Sequence, residues 1–425
     1  MAFSTRLARF WSLVPALVPV VAGLFLAILL IDELRRDVVE MTPISVPARL
    51  VEAGLTPEVV ALRLIDGVAR VESLVRGEPQ RRTGAEISGS QPDFTVPIAG
   101  ISLRSVARLL RNLLGIQETR ISGEVTVDGD ALRIRLRLSG EGVIADEQAA
   151  DVHALIDQAA PFIVKATQST LYAWWLVETA PSEAVVLGSL RNLLDTPGNT
   201  ALEYRTLRLL LSRVLNRAGR AAESLEVIDA LLADHPGYPS AVYGRARALR
   251  ELGRLEEAMV EVRRAQRLLP SAPFIHIGIA QILRDRGENE AALAELAPAL
   301  PPGRADSQAP TEAALTLLAL GRDAEALTHA QRAVAQDAKN PSAITALGVA
   351  LLRAGRAEEG LAQFDRALAE APLWHEARAG RIEALLAQGN RDAARAEFAG
   401  HAAAMAELPR LAARLAALRG RLDGA

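Results

Sequence analysis

The chain has 425 residues, half of them apolar but only 4% aromatic, with 48 basic and 51 acidic side chains. A net charge of −3 offers no bulk attraction to nucleic acid. The absence of cysteine rules out disulfides, thiolate metal sites, iron–sulfur clusters and cysteine nucleophiles. The length suits two or three domains, and the scarcity of aromatics favours Ala- and Leu-rich helices over an aromatic-rich sandwich. Neither lysine (Lys165, Lys339) follows a glycine, so no G-x-x-x-x-G-K-[ST] phosphate loop is present.

In chain order, residues 1–9 form a short tail, and 10–31 (FWSLVPALVPVVAGLFLAILLI) carry no charge. As a helix that run spans about 30 Å, the thickness of a hydrocarbon core. An uncleaved transmembrane helix is therefore expected. A cleaved signal peptide, with an apolar region of about 7–15 residues, fits less well. Arg6 and Arg9 before the run nearly balance Arg35, Arg36 and Arg49 after it. A nine-residue head inside and an exported body is the favoured orientation.

Residues 32–91 read as a short helix, a longer helix and a loop. Thr56 suits a cap and Pro57 a first helical position. Val60, Leu64, Val68, Val71 and Val75 recur at three- and four-residue steps as one buried stripe, and the Gly/Ser-rich 78–91 is a loop.

Residues 92–180 read as a small α+β module. Residues 94–98 suit a short edge strand, since Pro97 lacks a ladder donor. Leu103, Val106, Leu109, Leu110, Leu113 and Leu114 mark an amphipathic helix. Asp128-Gly129 is a favoured hairpin turn. Closure there opposes Val125 to Leu132 and Ile121 to Leu136 on one face, and Glu124 to Arg133 and Ser122 to Arg135 on the other. Arg133, Arg135 and Arg137 then form an outward stripe, either a dock for anions or a solvated face partly neutralised by Glu124. The helical pattern of 146–179 predicts a kink or restart at Pro161. Phe162, Tyr172, Trp174 and Trp175 suit packing at a domain junction better than ligand binding.

The C-terminal half has one fixed period. Gly219, Gly253, Gly287, Gly321, Gly355 and Gly389 lie 34 residues apart, each four residues after a leucine (Leu215, Leu249, Leu283, Leu317, Leu351, Leu385). Small residues follow five later (Ser224, Ala258, Ala292, Ala326, Gly360, Ala394). Pro236, Pro270 and Pro372 follow 17 later, with Pro341 near the equivalent place. Each unit reads as a helical hairpin: leucine anchors the first helix and glycine permits the left-handed turn that ends it. The small residue admits the second helix closely, and proline stops that helix. One hairpin cannot bury its apolar face alone, so six stack over 201–406, with a capping helix and tail at 407–425.

This pattern resembles the tetratricopeptide repeat family, whose period is 34, most closely in LGRLEEAMVEVRRAQRLLP (252–270) and AGRAEEGLAQFDRALAEAP (354–372). Arg208, Val242, His276, Pro310, Ile344 and Arg378 stand where the family has an aromatic near the repeat start, and leucine replaces the usual first-helix aromatic. PALPPGRADSQAP replaces a single proline after the third unit, which predicts a bend there. More loosely, ISVPARLVEAGLTPEVVALRLIDGV and the ISGEV hairpin resemble membrane-anchored bacterial proteins with such repeats. The implied fold is mainly α: an N-terminal transmembrane helix, a small α+β module and a C-terminal α-solenoid.

The resemblance also implies a concave groove, lined by first helices, that receives extended peptides or partner helices. By register it presents Arg213 and Arg217, then Tyr243, Arg247 and Arg250, then Ile277, Gln281 and Arg284. Leu315, Leu318, Val349, Leu352, Glu376 and Glu383 follow. The groove thus grades from basic to apolar to acidic. Leu209 and Gly244 occupy clamp places of the family's carboxylate-clamp subset, so that motif is not matched. Arg213, Arg217, Tyr243, Arg247, Arg250 and Arg284 form the candidate binding set, for an acidic segment or a free C-terminus. The alternative is that these arginines pair with nearby glutamates.

No histidine has metal-ligand spacing, and neither a G-x-S-x-G elbow nor a strict G-x-G-x-x-G appears. No catalytic residue, metal or cofactor is expected, and the chain reads as a non-enzyme. The leading expectation is a membrane-tethered scaffold recruiting a protein or peptide, placed as a single-pass protein of a bacterial inner membrane with a periplasmic body. The alternatives are a cytoplasm-facing regulatory module of a signalling or secretion machine, and an enzyme with its site in 92–180. Nucleic acid is not an expected partner, and homo-oligomerisation stays open.

Overall fold

The computed structural model describes residues 38–75, the strand segments 86–87, 95–96 and 101–102, and 119–424 apart from 130, 181, 198, 301–306, 373, 407 and 409–410; 30–31 and a few isolated positions before 114 are also described. The chain divides into two compact units, Met1–Ala180 and Pro181–Ala425.

The first unit contains β1 (Val38–Met41), α1 (Ala48–Glu52), α2 (Pro57–Val75), β2 (Glu86–Ile87), β3 (Thr95–Val96), β4 (Ile101–Ser102), β5 (Thr119–Asp128), β6 (Ala131–Leu138), β7 (Gly142–Ala149), α3 (Val152–Thr167) and α4 (Ser169–Thr179). Its main sheet has the order β2-β1-β5-β6-β7, parallel around β1 and antiparallel from β5 to β7. Strict alternation in β6 sends Leu132, Ile134, Leu136 and Leu138 into the core. There they join the α2 stripe of Val60, Leu64, Val68, Val71 and Val75, together with Leu155, Ile156 and Ile163 of α3. The Thr56 hydroxyl accepts from the Val59 N–H at 3.4 Å, at the entry to α2.

Two local expectations change. The hairpin pairs Val125 with Ile134, Ile121 with Leu138 and Glu124 with Arg135, two residues on from the expected partners. Pairing closes at Asp128 and Ala131, which puts Gly129 (φ +62°) at the first central position, where primed hairpin turns need positive φ. A slip of two preserves every residue's face, so the arginine stripe stays outward. The helical run breaks at Gln168 (φ −145°, ψ 66°), not at Pro161, which sits inside α3; the Gln168 amide donates to Glu72 at 3.1 Å. The short strand is described only at Thr95–Val96, paired with Ile101–Ser102. The helix expected over 103–114 lies outside the described residues apart from isolated positions.

The membrane expectation is corrected. Residues 10–29 of the expected span lie outside the described residues, and no described helix is long and apolar enough to cross a membrane. The longest described helix of the first unit, α2 with 19 residues, carries Glu58, Arg63, Asp66, Arg70 and Glu72, so only one face is apolar. The fold is therefore mainly helical and solenoid-like, with a small sheet in the N-terminal region. The expected single-pass inner-membrane location conflicts with the lack of any such helix among the described residues.

The second unit opens with α5 (Glu183–Asp195). Six helical pairs follow: α6 (Ala201–Arg217) with α7 (Ala221–Asp234), α8 (Pro239–Glu251) with α9 (Leu255–Leu268), and α10 (Pro273–Asp285) with α11 (Asn289–Leu296). Then come α12 (Gln308–Ala319) with α13 (Asp323–Gln336), α14 (Pro341–Arg353) with α15 (Ala357–Glu370), and α16 (His375–Ala387) with α17 (Arg391–Ala406). All six repeat glycines have φ between +71° and +81°. The N–H after each glycine donates to the repeat leucine's carbonyl, at 2.8 Å for Arg220 to Leu215 and 2.9 Å in the other five units. This Schellman arrangement satisfies carbonyls that a helix end leaves orphaned. Four turns are further stapled by a bidentate pair (Arg220–Glu223, Arg254–Glu257, Arg322–Glu325, Arg356–Glu359), with bonds of 2.5–2.7 Å.

Helices α7, α9 and α15 end two residues before Pro236, Pro270 and Pro372. Pro341 differs: it opens α14, where its missing N–H costs nothing, beside the capping side chain of Asn340. Helix α11 has only eight residues and passes into a 3₁₀ turn at Ala297–Ala299; residues 301–306, where the bend was expected, lie outside those described. Helix α18 (Ala412–Asp423) covers the last pair with Leu415, Leu418 and Leu422.

Gly355 tests the turn directly, because a Cβ there would meet open space and the cost of a side chain is conformational alone. Gly355→Ala should lower unfolding stability by about 1–2 kcal/mol, read as an earlier urea midpoint by circular dichroism. An unchanged midpoint would contradict the strained-turn account.

Candidate partner-binding groove

With the repeat glycine counted as the fifteenth residue of its unit, the ninth positions of the first helices are Arg213, Arg247, Gln281, Leu315, Val349 and Glu383. The twelfth positions include Asn216, Arg250, Arg284, Leu318 and Leu352. Helices α6, α8, α10, α12, α14 and α16 contact one another in sequence, so these columns run along one face of the unit.

Tyr243, at a fifth position, is half-buried and packs edge-on against Phe274, with ring centroids 5.0 Å apart and planes at 71°. Its ring also lies over Gly278, where an added Cβ would come within 2.6 Å of it, so only glycine admits this packing. Burial pushes the Tyr243 hydroxyl above its ordinary value, opposed by the positive charges of Arg247, Arg250 and Arg213.

The structure separates the candidate arginines into two kinds. Arg250 Nε donates to Asp285 at 2.6 Å and Nη1 to Gln281 at 2.9 Å. Burial disfavours its charge, but Asp285, Glu251 and Glu312 outweigh that and hold its pKa above the usual arginine value. Gln281 in turn donates to Glu312 at 3.1 Å, and Arg284 pairs with the same carboxylate. Arg217 pairs with Glu183 at 3.1 Å. Arg213 is exposed. Arg247 is half-buried, and its side chain enters no ion pair or hydrogen bond among the described residues. Asn216, only 3% exposed, has an Oδ1 without a hydrogen-bond partner.

Glu312 is the central residue that sequence reasoning passed over. It is 4% exposed and holds the sixth position of its unit, where the others have Leu210, Gly244, Gly278, Ala346 and Gly380. A lone charge in that column was the available signal. Further along, Leu315, Val349 and Leu352 are half-buried. Glu383 is bound twice by Arg414 of α18, at 2.7 and 2.8 Å. Glu383, at the acidic end of the expected groove, is thus neutralised from within the chain.

The sheet stripe is also internally paired. Arg133 and Arg135 both bind Asp146, Arg137 binds Glu124 at 3.0 Å, and Arg120 binds Glu40 at 3.0 Å. Arg133 and Arg135 hold the Asp146 carboxyl far below the usual range. Tyr172 and Trp175 stack on each other in α4, with centroids 5.6 Å apart. No group of three or more His, Cys, Asp or Glu among the described residues is placed to hold a metal ion.

Removing Glu312 would leave Arg284 without its buried carboxylate. Glu312→Ala should destabilise the unit by about 3 kcal/mol. Glu312→Leu combined with Arg284→Met should recover most of that, measured by denaturant unfolding. Equal loss in the single and double variants would refute the pairing.

Residues 209–273 and 345–409 match the family model for the tetratricopeptide repeat. No curated protein matches the chain. Among solved structures, a thermophilic tetratricopeptide repeat protein of Thermus thermophilus is similar at 25% identity over 43% of this chain and 99% of its own, with a TM-score of 0.39. The Cut9–Hcn1 hetero-tetramer of the APC/C is similar at 16% identity over 63% of this chain and 53% of that one, with a TM-score of 0.47. A repeat protein from Parabacteroides merdae is similar at 14% identity over 58% and 96%, with a TM-score of 0.41. Within the helical unit, residues 209–273 and 345–409 are thus tetratricopeptide repeats, an architecture typical of protein–protein interaction scaffolds.

Proposed function

We propose that the chain recruits a protein partner by binding an anionic peptide segment at the first two units of the groove, with Arg247 as the principal contact. Arg213 precedes it by one unit in the ninth-position column, and the Tyr243 ring lies four residues before it on α8. The observation that carries this reading is the difference between Arg247 and its neighbours. A ligand carboxylate at Arg250 or Arg284 would compete with Asp285 or Glu312. At Arg247 no carboxylate of the described chain stands in the way. A half-buried guanidinium is already partly desolvated, and its planar fork suits a carboxylate in bidentate geometry.

Affinity capture with the full chain tests this. Arg247→Glu with Arg213→Glu should remove the partners recovered by the wild type, while circular dichroism stays unchanged. Arg353→Glu, a charge reversal at an exposed arginine of the fifth unit, should leave capture intact. Raising the salt concentration should weaken capture by screening. Partners recovered equally well by the double variant would refute the assignment.

A further inference from the structure

The groove residues fall into three zones by how fully the chain satisfies them. In the first two units, among the described residues, Arg247 has no ion pair and the buried Asn216 Oδ1 has no donor. From Arg250 to Glu312 every polar group named above is engaged: Arg250 with Asp285 and Gln281, Gln281 with Glu312, and Glu312 with Arg284. Beyond this, the ninth and twelfth positions turn apolar at Leu315, Val349 and Leu352, each half-buried against the core beneath it. At the far end Arg414 neutralises Glu383. The first helices are contiguous from α8 through α14, so one extended ligand can cross all three zones.

We infer that the groove reads two features of one extended peptide: a carboxylate against Arg247, and an apolar side chain against Leu315, Val349 and Leu352. The inference rests on the anionic-peptide reading above and adds the second feature and its spacing. Neighbouring packed helices lie about 8–10 Å apart, so two to three steps from α8 to α12 or α14 cover about 16–30 Å. An extended chain advances about 3.3–3.6 Å per residue, so the carboxylate and the apolar side chain are separated by about five to nine residues. The middle zone, already satisfied, sets that separation and offers little of its own, because a ligand group there must displace an existing bond. Charge complementarity fixes the direction: the acidic residue lies toward α8 and the apolar residue toward α14.

A random 16-residue peptide library displayed against the full chain tests both readings at once. Selected peptides should carry an acidic and an apolar position correlated at a separation of about five to nine residues. Selection on Arg247→Glu should lose the acidic position and keep the apolar one. Selection on Val349→Lys should do the reverse, and Arg247→Gln serves as a milder substitute should the charge reversal impair folding. In fluorescence anisotropy, a selected peptide should bind about ten- to a hundred-fold more tightly than versions with either feature replaced by serine, the range expected for one charge-assisted contact or one buried apolar side chain. Acidic enrichment lost with Arg247→Glu but without an apolar position at fixed spacing would overturn the two-feature inference and leave the proposed function standing. Enrichment without any acidic position, or no enrichment, would overturn both.

Discussion

The stacking of the first helices depends on one repeated backbone event: a glycine in the left-handed region, with the following N–H bonded to a leucine carbonyl five residues back. That turn fixes where each first helix stops and how its partner returns. The leucine contributes its carbonyl to the turn and its buried side chain to the core of the hairpin. Because the six turns share one geometry, residues 34 apart arrive at equivalent places, and the ninth and twelfth positions become columns instead of scattered surface residues. In a solenoid each unit interacts chiefly with its neighbours, so errors in one turn are felt locally and the columns stay in register elsewhere.

Charge within those columns is unevenly satisfied, and that matters more than the number of arginines. Arg250 and Arg284 are held by Asp285 and Glu312 in a partly desolvated setting, where separating a pair is expensive because it strands a charge. Arg217 is paired at the surface, where an ion pair contributes little. Arg247 differs from both. The same distinction removes the sheet stripe from consideration, since Arg133, Arg135 and Arg137 find carboxylates across the strands. A row of like charges in sequence indicates a face; whether that face is available depends on what the fold sets opposite it.

Periodicity made the six turns legible, because a 34-residue spacing of glycine and leucine leaves few alternatives. Alternation was enough to sort the hairpin's residues by face, but a slip of two leaves alternation unchanged, so the partners of Val125 and Ile121 depended on where Gly129 could sit in the turn. Strand β1 was invisible for the opposite reason: four residues carry almost no period, and its partners β2 and β5 are remote in sequence. The break at Gln168 instead of Pro161 coincides with a tertiary contact to Glu72 that no local rule could supply. Apolar length suggested a membrane helix at 10–31, and no helix among the described residues has the length and apolarity for one. Glu312 stood out in its column, but its role needed the approach of α12 to α10, which only the folded chain provides.

That approach also accounts for the location of the polar network. The second helices α7, α9, α13 and α15 each have 14 residues, whereas α11 has eight. The third unit therefore offers its neighbour a shortened second helix. The buried carboxylate of Glu312 lies on the other side, tying α10 to α12 through Gln281 and Arg284. Two further bonds reinforce the region: Asn340 to the Ser307 hydroxyl at 2.9 Å, and Arg332 to the Leu300 carbonyl at 3.1 Å. Apolar contacts tolerate sliding, while directional bonds to a buried carboxylate permit few alternative registers. Where the second helix is shortest, the first helices α10 and α12 are joined by directional bonds to a buried carboxylate, so their spacing is fixed by the contacts least tolerant of displacement.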